Sequence, residues 1–137
     1  MTDAETVVTA TTVPEEKRMG FLPRLFGDRL IVGEATAMSW AATLSVDYQG
    51  GLWDFHDLSN GGGYMAPTTP ERLRLQWADN HFDGVMSADA AGIVFTLYAL
   101  NHLAHRYEDE AFVRLFHLLL DFAKGHPEAR RILSVID

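Results

Sequence analysis

Cysteine is absent from the 137 residues. Its absence excludes disulfides, thiolate zinc sites and cysteine nucleophiles, and it fits a reducing, cytosolic setting. Long apolar runs are also missing. The most apolar stretch, Ala90 to Leu100, falls well short of the ~20 residues that span a bilayer. The opening MTDAETVVTATTV has no basic n-region and does not read as a secretory signal, so a cytoplasmic protein with no membrane partner is expected. Basic residues are scarce: 11 Lys and Arg stand against 19 Asp and Glu, for a net charge of −8. Duplex binding rests on Lys and Arg neutralising phosphates, so no direct nucleic-acid binding is expected. Imitation of DNA by the acidic surface is conceivable. The carboxylates are scattered, however, with only Glu108-Asp109-Glu110 forming a run, and ordinary acidic solubility accounts for them.

What is present suits one domain, since domains often run to roughly 100–150 residues and a core of that size needs no disulfide or metal staple. Residues 1–13, rich in Thr and Ala, lack an apolar stripe and read as a flexible N-terminal tail, leaving 14–137 as the domain. Pro14 with Glu15 and Glu16 marks a helix start that breaks near Pro23. A second helix is expected from Gly33 to about Val46, with Ala35, Met38 and Ala42 on one stripe and Trp40 and Leu44 on another.

The glycine-rich stretch YQGGLWDFHDLSNGGGYMAP (48–67) reads as sheet. LWDFHDLS (52–59) alternates, Asn60-Gly61 tolerates positive φ as a hairpin turn, and GGYMAP returns until Pro67 stops it. RLRLQW (72–77) alternates strictly and completes an antiparallel meander, with an extra strand near 79–86 and a turn at Asp83-Gly84. Ser87 can then N-cap a helix over about 87–106 that is apolar nearly all round and therefore central. An amphipathic helix follows over about 109–124, ended by Gly125 and Pro127, and a short one covers PEARRILS. The fold expected from these patterns is α+β: a single compact domain with a small antiparallel β-meander of about three strands against several α-helices.

Chemistry-bearing patterns are few. Gly61-Gly62-Gly63 leads into a strand, whereas a phosphate loop leads into a helix N-terminus, so no cofactor is expected. His56, Asp57 and Ser59 are triad residue types, but neighbours on one strand splay to opposite faces and no G-x-S-x-G elbow is present. His102, His105 and Asp109 lie at i, i+3 and i+7 and could share a helix face, offering three zinc ligands for a small metal-dependent hydrolase. The competing structural reading is a polar helix end, where histidine also suits the dipole. Tyr48, Trp53, His56 and Tyr64 could form an aromatic recognition patch, or Trp53 and Phe55 could simply be core.

FLPRLFG (21–27), the Trp40 helix running into DYQGGLWDFHDLSNGGGYMAP (47–67), SADAAGIVFTLYALNHLA (87–104) and the ending SVID (134–137) resemble the ArdB/KlcA-type antirestriction family. These blocks stand in the family's order and span most of the chain after the tail. The resemblance implies a compact α/β fold in a cytoplasmic protein carried by plasmids, phages or other mobile elements. It implies protection of incoming DNA from type I restriction systems with modification largely intact, and no enzyme with a known active site. Its partner would be the type I restriction-modification complex, reached directly or through a host factor. No catalytic residue carries over. The residues expected to meet a partner are Tyr48, His56, Asn60 and Tyr64 around the hairpin, and Asp137, whose two carboxylates concentrate charge at the C-terminus.

Overall fold

The Ser87 hydroxyl accepts a hydrogen bond from Ala90 N–H (3.0 Å) and starts α3 (Ala88–Tyr107), the helix at the centre of the computed structural model, which describes residues 7–137. Ala90 through Leu97 are all buried, with Ala99, Leu100 and Leu103 beyond them. A helix apolar on every side is stable only when other elements cover all its faces. Here α2 (Leu30–Leu44), α4 (Glu110–Lys124), α5 (Ala129–Ile136) and strand β3 (Gly63–Pro67) surround it. The closest approach is at Gly92, where an added Cβ would lie 2.2 Å from the Ala66 Cβ. Only glycine lets helix and strand meet there.

Two antiparallel sheets replace the expected meander. The first has the order β1–β2–β3, pairing β1 (Ala10–Thr12) with β2 (Trp53–Leu58) and β2 with β3. The second pairs β4 (Arg72–Trp77) with β5 (Phe82–Ser87). β4 does not join β3 because that edge is already occupied. The buried Thr96 hydroxyl of α3 accepts from Met65 N–H (3.2 Å) and donates to Met65 C=O (3.1 Å). One side chain thus satisfies both backbone groups that a further strand would use. The two outer edges of the second sheet also carry side-chain bonds: Asp47 Oδ2 accepts from Arg74 N–H (2.8 Å) on β4, and the Arg131 guanidinium donates to Val85 C=O on β5. Such covers keep an exposed strand from pairing with another chain.

Several boundaries move for local reasons. Residues 1–6 of the expected tail lie outside the described residues, but Ala10–Thr12 form a strand, and Val13 is buried while donating to Phe55 C=O (2.8 Å). The first helix does not break at Pro23. A 3-10 turn over Glu15–Gly20 runs into α1 (Phe21–Phe26), and Pro23 falls in the first turn of α1, where its missing N–H has no partner to lose. Asp83-Gly84 lies inside β5, and the chain reverses instead through Ala78–Asn80 and His81, whose φ is +59°. On α2 the buried face is Gly33, Ala37, Ala41 and Leu44, not the Ala35–Met38–Ala42 stripe. Small residues let α2 lie close to α1 and α3; a Cβ at Gly33 would sit 2.3 Å from the Phe26 ring.

Candidate functional site

The hairpin and the helix starts converge on one carboxylate. Asp89 stands in the first turn of α3, where a negative charge is favoured. Its Oδ1 accepts from the Tyr64 hydroxyl (2.6 Å) and its Oδ2 from His126 Nε2 (2.8 Å). His56 brings a second ring nitrogen, its Nε2, to 3.9 Å from Oδ1. Strands β2 and β3, helix α3 and the α4–α5 connection therefore meet at a single side chain.

The residues sit in a graded environment. Tyr64 is 1% exposed, the side chains of His126 and His56 are 8% and 13% exposed, and that of Asp89 is 43% exposed. The carboxylate thus faces water on one side and buried donors on the other. Tyr64 stacks between His56 (centroids 4.5 Å apart) and Phe122 (5.7 Å). Burial, reinforced by the adjacent Asp89, pushes the Tyr64 phenol far above its ordinary value, so it remains a donor. Burial also pushes the Asp89 carboxyl upward, but hydrogen bonds from His126 and Tyr64 and the nearby His56 outweigh it and leave the carboxyl below its ordinary value. At His56 burial dominates and lowers the pKa, against the opposing pull of Asp89 and Asp54.

The tautomer of His126 limits what the cluster can do. Glu128 N–H donates to His126 Nδ1 (3.0 Å), so that nitrogen carries no proton, and Nε2–H is the donor to Asp89. Both nitrogens are committed, leaving neither a free base nor a free metal ligand. Glu128 is itself anchored: its carboxylate accepts from Ser87 N–H (2.9 Å) and from the Ser87 hydroxyl. His56 is less constrained, with Nδ1 at 3.3 Å from the Thr12 hydroxyl of β1. The arrangement is a polar latch joining four elements, with one half-exposed carboxylate at its mouth.

A family model described as antirestriction protein matches residues 46–137, two-thirds of the chain and the whole of this latch apart from Thr12. The chain belongs to the antirestriction protein family. An antirestriction protein KlcA of Escherichia coli is 45% identical over 135 residues, covering 95% of each chain. The putative antirestriction protein YubI of Escherichia coli strain K12 is 38% identical, covering 91% of this chain and 93% of its own. A solved structure matches with a TM-score of 0.90 at 44% identity over 100% of both chains. It is described as showing a novel fold for the KlcA and ArdB proteins, with antirestriction activity against type I DNA restriction systems in vivo but not in vitro.

Within this family member the residues expected to meet a partner are dispersed. His56 and Tyr64 share the latch, but Tyr64 is buried and offers no ring to a partner. Asn60 holds the hairpin turn: its Oδ1 accepts from Gly62 N–H (3.0 Å) and its Nδ2 donates to Leu118 C=O (2.9 Å). Tyr48 is half-buried, and its hydroxyl accepts from Trp53 Nε1 (3.0 Å). Trp53 is buried as core, so the aromatic patch does not form as an exposed surface. Asp137 is exposed, apart from the others at the end of α5.

The alternative zinc cluster is not assembled. His102 and His105 lie on α3, while the Asp109 carboxylate N-caps α4 by accepting from Ala111 N–H (2.9 Å). Among the described residues, no group of three or more His, Asp or Glu side chains is placed to hold a metal ion. No motif in the sequence marks Asp89 or His126. Their partners lie 25 and 37 residues away, and no local spacing announces such a meeting.

Proposed function

We propose that this protein blocks type I restriction endonuclease action on incoming DNA, leaves modification largely intact, and does so through protein contacts. The observation that carries the reading is the likeness at 44% identity over 100% of both chains to proteins described as having antirestriction activity against type I DNA restriction systems in vivo. The chemistry of the chain supports contacts over catalysis. A net charge of −8 gives phosphates little to bind, and the polar cluster at Asp89 commits both nitrogens of His126 to structural bonds. Activity in vivo but not in vitro, described for the solved proteins, favours a factor present only in cells. The partner is accordingly the type I restriction-modification complex, met directly or through a host factor, in the cytoplasm.

The test is the plating efficiency of unmodified phage on cells carrying a type I system, with and without this protein, scoring methylation of the surviving phage DNA. Restored plating with methylation intact is expected. No protection from a well-expressed, folded protein refutes the proposal. Among the expected contacts, Asp137 and the rim at His56 remain proposals. Unchanged protection by Asp137→Ala and His56→Ala, with both variants folded, removes them.

A further inference from the structure

Asn60-Gly61 is the chain's one asparagine–glycine step; the other asparagines, Asn80 and Asn101, each precede a histidine. Such a step is chemically reactive. The backbone nitrogen that follows an asparagine can attack its side-chain amide, closing a cyclic imide and expelling ammonia. Glycine hinders this attack least, because no side chain flanks its nitrogen and its backbone turns freely.

The fold both primes this step and restrains it. Gly62 N–H donates to Asn60 Oδ1 (3.0 Å), the oxygen on which negative charge develops during attack, so an oxyanion donor already stands in place. Gly61 is exposed, with φ at +96°, and water reaches it. Two bonds oppose the reaction. Gly61 N–H donates to Leu58 C=O (3.0 Å), which holds the proton that must leave before the nitrogen attacks. Asn60 Nδ2 donates to Leu118 C=O on α4 (2.9 Å), 58 residues away, which holds the group that must depart. The hairpin tip lies close on that helix: a Cβ added at Gly62 would sit 3.0 Å from the Leu118 Cβ. Freeing the amide therefore requires the tip to lift from α4.

We infer that Asn60 is a self-modification site, deamidated when the β2–β3 tip lifts from α4 and protected while the tip is docked. In the open state Gly61 N gives its proton to water or hydroxide and attacks Asn60 Cγ. The new N–C bond forms, the Cγ–Nδ2 bond breaks, and Nδ2 leaves as ammonia after taking up a proton. Water then opens the imide at either carbonyl, giving aspartate or isoaspartate. The sum is hydrolysis of one amide, with nothing oxidised or reduced. Neither product docks as before. Aspartate turns an acceptor oxygen towards the Leu118 carbonyl, where a donor stood. Isoaspartate lengthens the backbone by a methylene inside the turn that sets Asp57 against Gly63. Either product also adds a negative charge to a chain already at −8. Opening is thus recorded irreversibly beside the latch, because Tyr64 stacks on Phe122, one turn of α4 beyond Leu118. The inference stands independently of the antirestriction reading.

The full chain is incubated at neutral pH, folded and in urea above its unfolding transition, and Asn60 is followed by peptide mass mapping with an isoaspartate assay. Conversion of Asn60 in urea, ahead of Asn80 and Asn101, is expected, with a rate at least about tenfold lower in the folded chain. No conversion of Asn60 in urea, or equal rates in the two states, overturns the inference. Gly62→Ala drives a methyl against Leu118 and keeps the Asn60-Gly61 step. Folded, this variant is expected to convert several-fold faster than folded wild type, and in urea at the wild-type rate. An unchanged folded rate overturns the protection by α4. If the variant does not fold, wild type in urea below its transition supplies the comparison. Conversion that rises with the hydrogen-exchange rates of the Gly61 and Gly62 amides is expected, and conversion that stays flat while those amides open overturns the inference.

Discussion

Replacing Asp89 by Ala tests whether one carboxylate ties the fold together. The variant leaves the Tyr64 hydroxyl and His126 Nε2–H without their acceptor, at sites only 1% and 8% exposed. Each buried, unsatisfied donor costs about 1–3 kcal/mol, and charge-assisted bonds lie towards the upper end. Because the Asp89 side chain is 43% exposed, water can enter the vacated space and recover part of the loss. The net cost is about 2–4 kcal/mol. For a domain of this size each kcal/mol shifts the melting temperature by about 3 °C, so a fall of roughly 6–12 °C is expected. Asp89→Asn should be milder. Its amide oxygen can accept from His126, and its amide nitrogen can donate to the Tyr64 hydroxyl oxygen, which keeps two neutral bonds in place of two charge-assisted ones. A loss of about 1–2 kcal/mol follows. Thermal melts of the three proteins at neutral pH measure the series directly. Asp89→Ala melting within about 2 °C of wild type, or Asp89→Asn as damaged as Asp89→Ala, would refute this account of the latch.

Acid should destabilise the protein in two stages. His56, held below the ordinary histidine value of 6.5, resists a proton that the unfolded chain accepts, so stability falls as pH drops below about 6.5. Asp89 and Glu128, held below their ordinary values, contribute stability above about pH 4, and it is lost as pH falls through their folded values. His56→Gln should flatten the first stage in melts between about pH 5 and 6.5, and an unchanged slope there would count against the assignment. Thr96→Val keeps the volume but leaves Met65 N–H and C=O unpaired in the core, costing about 2–4 kcal/mol in urea denaturation. A variant as stable as wild type would mean those groups find other partners. Gly92→Ala drives a methyl against Ala66 and Met65 C=O and should cost about 1–3 kcal/mol or more by the same assay. A neutral result would show that α3 can lift from β3.

Patterns that act within a few residues were legible in the sequence. The all-round apolar run predicted the central helix because no other burial suits it, and Ser87 marked its start within one residue. The alternation of Trp53 and Phe55 with Asp54 and His56, followed by Asn60-Gly61, predicted the β2–β3 hairpin, since strand period and turn chemistry are both local. Family blocks spread along the chain pointed to antirestriction proteins, and the comparison over residues 46–137 agrees.

Only the tertiary structure decided how those pieces share edges and faces. β4 pairs with β5 because Thr96, 31 residues from Met65, already fills the edge of β3. The inward face of α2 is its row of small residues, because packing distance against α1 and α3 outweighs the side-chain hydrophobicity from which a stripe is read. Asp89, Tyr64, His56 and His126 are ordinary residues in sequence. They become one latch through hydrogen bonds that depend on where a folded backbone carries them. Local preference thus determined which elements form, while competition for buried edges, packing space and hydrogen-bond partners determined which of them meet.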